Sequence, residues 1–213
     1  MARTIGATTD ILLSRVRRSG NISPTNDFAI QVLTTCQQYV NILLKRVIVT
    51  ETFATTKEKL FYALSDLTTP ALDIASISES NRELFECKDI SEFSTYEKGW
   101  FRNITGTRFE AWHQVARDSF VIYPGKAAAS SISIDIVKAT TISTDYTTDY
   151  SSNFEIADED VEIALKLAEI ILLVRARVVK PLQNNIKSLL DILGAKNVVL
   201  ESTNLNAMLN AGT

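Results

Sequence analysis

Between residues 24 and 44 apolar side chains return at steps of three and four. Phe28, Val32, Cys36, Tyr39 and Leu43 share one face, and Ala29, Leu33, Val40 and Leu44 widen it. That period predicts a long helix lying on a core. Ser23 stands as its cap and Pro24 at its first helical position, where no amide proton is needed. A shorter helix is expected before it, roughly 10–18, capped by Thr9 and stopped by Gly20. Its stripe of Ile11, Leu12 and Val16 is narrow, so it must lean on something larger.

The pattern changes after Lys45-Arg46. The β-branched run from Val47 to Phe53 predicts a strand. Thr55 to Glu58 reads as a loop, and Lys59 to Leu64 as the returning strand of a hairpin. Further short strands are expected at Ile74–Ser78, Arg82–Cys87, Arg108–His113, Ser119–Tyr123 and Ser131–Val137. The last alternates: Ile132, Ile134 and Ile136 share one face and Ser131, Ser133 and Asp135 the other, so one side is buried. Between these strands Asp89 caps a short helix over about 90–97, carrying Ile90, Phe93 and Tyr96.

Residues 140–153 are Thr-, Ser- and Asp-rich without periodicity and read as a polar linker loop. A long helix then opens with Asp158-Glu159-Asp160, acids placed at its positive end, and closes near Arg175, Arg177 and Lys180. Val161, Ala164, Leu165, Ala168, Ile171, Leu172 and Ala176 give it a broad apolar face, and Glu162 and Lys166 are spaced to pair on the opposite side. Pro181 interrupts it. A further helix, about 181–193, carries Leu182, Ile186, Leu189, Leu190 and Leu193 and ends at Gly194. The segment 195–213 holds Val198, Val199, Leu200, Leu205, Met208 and Leu209, too apolar to be left in water. It packs back on its own domain or docks on a neighbouring subunit; for a subunit in a ring the neighbour is favoured. The whole predicts an α+β fold. Residues 1–46 and 154–194 make a helical bundle, with an inserted small antiparallel sheet or barrel-like module at 47–139. The linker loop spans 140–153 and an extended C-terminal arm spans 195–213.

Composition narrows the class. With 213 residues, 46% hydrophobic and 22% charged, the chain is ordinarily globular and long enough to bury a core without metal or disulfide staples. The net charge of −3 is uneven: residues 1–50 sum to +4 and the remainder to −7. Arg15, Arg17 and Arg18 suit phosphate, an acidic protein surface, or simply a solvated helix end. No aromatic-interleaved basic stretch accompanies them, which counts against sequence-specific nucleic-acid binding. Two cysteines, Cys36 in the apolar helix and Cys87, make no disulfide framework and point to a reducing compartment. Met1 to Gly6 lacks the apolar stretch of a signal peptide. The apolar run Ile170–Val174, flanked by Glu169 and Arg175, falls far short of the ~18 residues of a membrane span. A soluble protein made in the cytoplasm is expected.

Catalytic sets are thin. His113 is the sole histidine, and neither cysteine is near it in sequence. There is no Cys-x-x-Cys, and Gly99 and Gly106 do not form a phosphate loop. Asp158, Glu159 and Asp160 complement a helix dipole more readily than they form an acid/base pair. Asn103-Ile104-Thr105 matches a glycosylation acceptor by chance. No catalytic residue, cofactor or metal is therefore expected. Trp100, Phe101, Phe109 and Trp112 gather around Gly99–Gly106, and a small aromatic core is favoured over exposed anchors. Tyr146 and Tyr150, in a doubled Thr-Asp-Tyr, are either aromatic contacts to a partner or part of a flexible crossover.

The order of these parts resembles the head-to-tail adaptor subunits of tailed phages, the tail tubular A type and head-completion connectors among them. Such subunits commonly open with a short and a long amphipathic helix, followed by a strand and a Tyr-Ala-Leu-like segment. A Gly-Trp…Thr-Gly turn, a Phe-x-Ile-Tyr-Pro strand, a β-branched strand and a last apolar helix follow. Here the similar parts are Leu60–Leu64, Lys98–Gly106, Phe120–Pro124, Ser131–Val137 and Asp158–Val179, within residues 8–194. The resemblance rests on order and spacing, and it does not extend to the 140–153 loop or the C-terminal arm.

What the resemblance implies is a structural virion protein at the head–tail interface, not an enzyme and without cofactor. Subunits would form a dodecameric ring between the portal protein and the tail nozzle or tail tube protein, with a channel for passing DNA and no membrane contact. The expected contacts are read from the residues and not from the resemblance: Arg15, Arg17 and Arg18 to an acidic portal surface, Val198, Val199, Leu205 and Leu209 to a neighbouring subunit or the portal, and Tyr146 and Tyr150 to the tail. Two alternatives stand beside it. One is another ring-type virion protein, such as a tail terminator or stopper, which would have less than roughly a third of its residues in helix. The other is a cytoplasmic nucleic-acid-binding regulatory protein using the basic N-terminal region.

Overall fold

A computed structural model describes residues 3–96, 99–101 and 106–195. In chain order the elements are α1 (Ile5–Gly20), α2 (Asn26–Leu44), β1 (Ile48–Ala54), β2 (Phe61–Ala63), β3 (Ala71–Glu79), β4 (Arg82–Glu83), β5 (Phe85–Glu86), α3 (Phe93–Tyr96), β6 (Ala111–Ala116), β7 (Ser119–Tyr123), β8 (Ser131–Lys138), α4 (Tyr146–Asp149), α5 (Val161–Arg175) and α6 (Val179–Ala195). The fold is α+β. The chain divides into two compact units, one of residues 1–47 and 140–213 and one of residues 48–139.

The helical unit is organised by side chains that settle each helix end. α1 begins at Ile5, not near residue 10, because Thr4 is its cap and accepts the Ala7 N–H at 3.4 Å. Thr9, the expected cap, lies inside the helix, where its hydroxyl donates to the Ile5 carbonyl at 2.8 Å. Asn21, in the left-handed region at φ 52°, closes α1 by donating its N–H to the Arg17 carbonyl. α2 starts at Asn26, two residues after Pro24, because the Thr25 hydroxyl accepts the Phe28 N–H at 3.3 Å. α6 starts at Val179, so Pro181 falls in its first turn, where a missing N–H costs nothing; it opens this helix. Gly194 lies within α6, which continues to Ala195.

Helix α5 departs most from the expected one-sided pattern. Its buried residues, from Val161 to Leu173, surround it. Leu12 and Val16 of α1, Ala29, Ile30, Leu33, Cys36 and Val40 of α2, and Leu189 and Leu193 of α6 share one core with it. The expected Glu162–Lys166 pair does not form. Glu162 instead meets Arg15 of α1 at 2.7 Å, and Lys166 turns to Glu169 at 3.7 Å and Asn185 of α6 at 3.5 Å. The packed helix α1 offered Glu162 a cation, and Lys166 found Glu169 one turn on in α5 and the Asn185 amide oxygen of α6.

The β unit is a pair of four-stranded sheets, ordered β1-β8-β3-β4 and β2-β7-β6-β5. Their inner faces share a core: Phe53, Ile74, Ile77, Ile132, Ile134 and Ile136 from one sheet meet Tyr62, Trp112, Phe120 and Ile122 from the other. Rings link them, with Phe53 and Tyr62 at 5.2 Å and Tyr62 and Phe120 at 5.6 Å. The alternation expected in β8 holds: its isoleucines are buried, while outward Asp135 accepts hydroxyls from Thr50 at 2.6 Å and Ser76 at 2.8 Å. β1 and β2 are not a hairpin. β1 pairs with β8 and β2 with β7, so residues 55–60 carry the chain from one sheet to the other. The segment expected as one strand at 82–87 is split. Leu84 turns into the core, Arg82–Glu83 pairs with β3, and Phe85–Glu86 runs parallel to β6.

β7 is buried on both faces. Phe120 and Ile122 face the shared core, while Val121 and Tyr123 join Leu60, Cys87, Phe93 and Trp100 in a second cluster. The aromatic set therefore divides, with Phe109 and Trp112 in the first core, Trp100 in the second, and Phe101 57% exposed. The Nδ1 of His113 lies 2.7 Å from the Cys87 carbonyl. Ile134, fully buried between the sheets, gives a direct test of this core. Ile134→Ala should cost about 2–4 kcal/mol in urea unfolding of the chain, and a cost below about 1 kcal/mol would contradict that packing.

Candidate functional site

The expected arginine contact set separates. Arg15 is engaged within the chain, its Nη1 2.7 Å and Nη2 3.5 Å from the two Glu162 carboxylate oxygens. Arg3 adds to this clasp, its Nη1 3.7 Å from Glu162 and its backbone N–H donated to Asp158 at 3.1 Å. Such a pair fastens α1 along α5 and leaves Arg15 little to offer a partner. Arg17 and Arg18 are exposed and carry no ion pair with a described residue.

α1 and α5 run in the same direction. Arg15 lies beside Glu162, Ser19 donates to Glu169 at 3.4 Å, and a Cβ on Gly20 would sit 3.1 Å from Leu173. Both helices therefore end at the same place. Exposed Arg175 and Arg177 of the α5 terminus join Arg17 and Arg18 there. Arg175 stacks over Phe28 in the first turn of α2, with Cζ 4.8 Å from the ring centre. Sequence reasoning missed this convergence because 157 residues separate Arg18 from Arg175. The excess of Arg at both predicted helix ends was the available signal.

The 140–153 segment is not a free linker. Gln38 donates to the Thr140 carbonyl at 2.7 Å, Thr34 accepts the Ser143 N–H at 3.1 Å, and Gln37 accepts the Glu155 N–H at 2.8 Å, all on α2. Backbone bonds from Ile5 to Ser152 and from Gly6 to Tyr150 tie it to α1. Gly6 is needed for this approach, since a Cβ there would lie 2.3 Å from the Tyr150 ring and 2.6 Å from its carbonyl. Residues 140–155 thus form a strap across α1 and α2, because their polar groups find partners that only the folded helices bring together.

Tyr146 and Tyr150, expected on the tail side or in a flexible crossover, stand on this strap. Both donate their phenols to Asp10 of α1, at 2.6 and 3.2 Å, and the Tyr146 N–H donates to Asp27 at 2.9 Å. The rings meet edge to face at 5.3 Å, and Tyr150 remains 42% exposed. The bond to the Asp10 carboxylate pushes the Tyr146 phenol up to about 12, and the same bond raises Tyr150. Asp10 was not singled out from sequence, for nothing local marks it as the anchor of two distant tyrosines.

In the β unit, Ser130 Oγ lies 3.3 Å from Lys126 Nζ, a pairing that resembles a nucleophile with its base. Lys126 is already bonded to Glu79, and an ammonium held by a carboxylate has no lone pair to take a proton. Burial works against the Glu79 carboxylate, yet bonds from Lys126, the Phe109 N–H and Ser130 hold its pKa below the usual range. The cluster is a fastening. Among the described residues no group of His, Cys, Asp and Glu is arranged to hold a metal, and no helix is long and apolar enough to cross a membrane. Val198, Val199, Leu205 and Leu209, the other expected contacts, lie outside the described residues. No protein-family model matches the chain, and no curated protein matches it.

The clasp on Asp10 has a pH signature. A raised phenol pKa means that the clasp contributes fully below the ordinary phenol range near 10 and is lost as pH rises through about 12. In an absorbance titration of tyrosinate, Asp10→Asn should move two of the six tyrosines down toward 10. An unchanged titration curve would show that Asp10 does not hold them.

Proposed function

We propose that this chain is the subunit of a head-to-tail adaptor ring in a tailed phage, set between portal and tail. The observation that carries the reading is the order of parts. Helices from both sides of the chain make one unit, and a β unit of residues 48–139 is inserted between them in sequence, as in the adaptor subunits it resembles. The role is structural: binding portal, tail protein and like subunits while DNA passes, with no bond made or broken.

A subunit of this kind needs surfaces for different neighbours. The helical unit offers the arginine end and the strap with Tyr150. The β unit offers exposed Phe61, Phe85 and Phe101, aromatic side chains of the kind that anchor protein interfaces. Virion location follows from this reading. A ring-type tail terminator or stopper is the second reading, favoured by the two four-stranded sheets. A helix content of about 42% weighs for the adaptor.

The test is the native mass of the purified chain, alone and mixed with the portal of the same virus. The adaptor reading expects a species of 23.6 kDa that joins the portal ring in one copy per portal subunit. Failure to associate with portal in any order of mixing, with a closed ring formed by the chain alone, would favour the tail-terminator reading.

A further inference from the structure

We propose that Arg17, Arg18, Arg175 and Arg177 form one cationic pole of the helical unit that takes the phosphate backbone of duplex DNA without reading its sequence. The inference rests on the geometry of the pole and does not depend on the adaptor reading. Parallel α1 and α5 bring their last turns together, and with them four exposed guanidinium groups. None of the four pairs with a carboxylate among the described residues.

The carboxylates carried by the same helices are engaged elsewhere. Asp10 holds the two strap phenols, Asp27 accepts the Tyr146 N–H, Glu162 is clasped by Arg15, and buried Glu169 meets Asn185 at 2.9 Å and Lys166. None of these carboxylates pairs with the four guanidiniums, which leaves the guanidiniums to an outside anion. An open depression beside Arg17 and Arg18 is lined also by Asp10, Leu13, Ser14 and Asn26, so a hydroxyl, an amide and the phenol-bonded Asp10 carboxylate flank the guanidiniums. The first turn of α2 adds N–H groups at the same end.

Arg177 supplies an independent mark. It is held at φ +57° in the residue position that follows the α5 cap, where the Val178 N–H returns to the Leu173 carbonyl. Glycine is the usual residue there, and an arginine pays in backbone strain for being present. Two helix C-termini would be served by one cation each, so four at one place exceed what the dipoles ask for.

Duplex DNA is favoured over a protein surface because the pole offers charge without an apolar anchor. Among the described residues of the helical unit the exposed large apolar ones are Ile11, Tyr150, Ile142 and Leu190, none in the last turns of α1 or α5. Protein interfaces centre on such anchors, whereas backbone recognition of DNA needs only phosphate partners.

The experiment is fluorescence anisotropy of a labelled mixed-sequence duplex with the full chain across a salt series. Four phosphate contacts predict a log–log salt slope of about −3.6, so a fourfold rise in salt weakens binding about a hundredfold. The double variant Arg17→Glu, Arg18→Glu should flatten the slope by about two. Arg177→Gly should lower it by about one while raising the melting temperature, because glycine relieves the strained position; a loss of binding in a more stable protein cannot be misfolding. Wild-type affinity in either variant, or no binding of duplex at low salt, overturns the proposal. So does binding of a polyglutamate peptide in place of the duplex, which would make the pole a dock for protein carboxylates.

Discussion

From Val161 to Leu173, helix α5 turns apolar side chains to every side, so each of its flanks must be covered. α1, α2 and α6 supply the cover, and every buried leucine or isoleucine among them contributes roughly 1.5–3 kcal/mol. The few polar groups on α5 then have to be met inside the bundle. Glu162 is met by Arg15, Glu169 by Asn185 and Lys166, and buried Asp160 at its start by Arg46 at 3.1 Å. These bonds fix the direction of α1 along α5, and that direction decides which arginines share an end.

Much of the fold was legible because burial writes itself into periodicity. The three- and four-residue steps of α2 and the alternation Ile132, Ile134, Ile136 in β8 each correspond to a face that meets a core. Local rules failed where a distant group offered a better partner. Glu162 and Lys166 are spaced to pair, but α1 and α6 brought Arg15 and Asn185 closer. Val47 to Leu64 reads as a hairpin, yet the two runs belong to different sheets because Phe53 and Tyr62 face each other across the core.

The candidate surfaces were less legible for the same reason. Arg15, Arg17 and Arg18 look alike in sequence, and only the position of Glu162 separates a structural arginine from two exposed ones. The strap has no periodicity because its contacts are polar and one-off: Thr34, Gln37, Gln38 and Asp27 each hold a single group of it, and Asp10 holds two. A segment rich in Thr, Ser and Asp is thus ordered by hydrogen bonds from helices more than a hundred residues away in sequence. That closure joins the two chain segments of the helical unit and makes the β unit an insertion.

Hydrogen–deuterium exchange on the full chain tests this closure most directly. The Ser143, Tyr146 and Glu155 amides, donated to Thr34, Asp27 and Gln37, should be protected well beyond an unstructured chain, and α5 should be the slowest segment of the helical unit. Exchange of those three amides at the rate of free peptide would contradict the account, since the strap would then be the loose linker that its composition suggests.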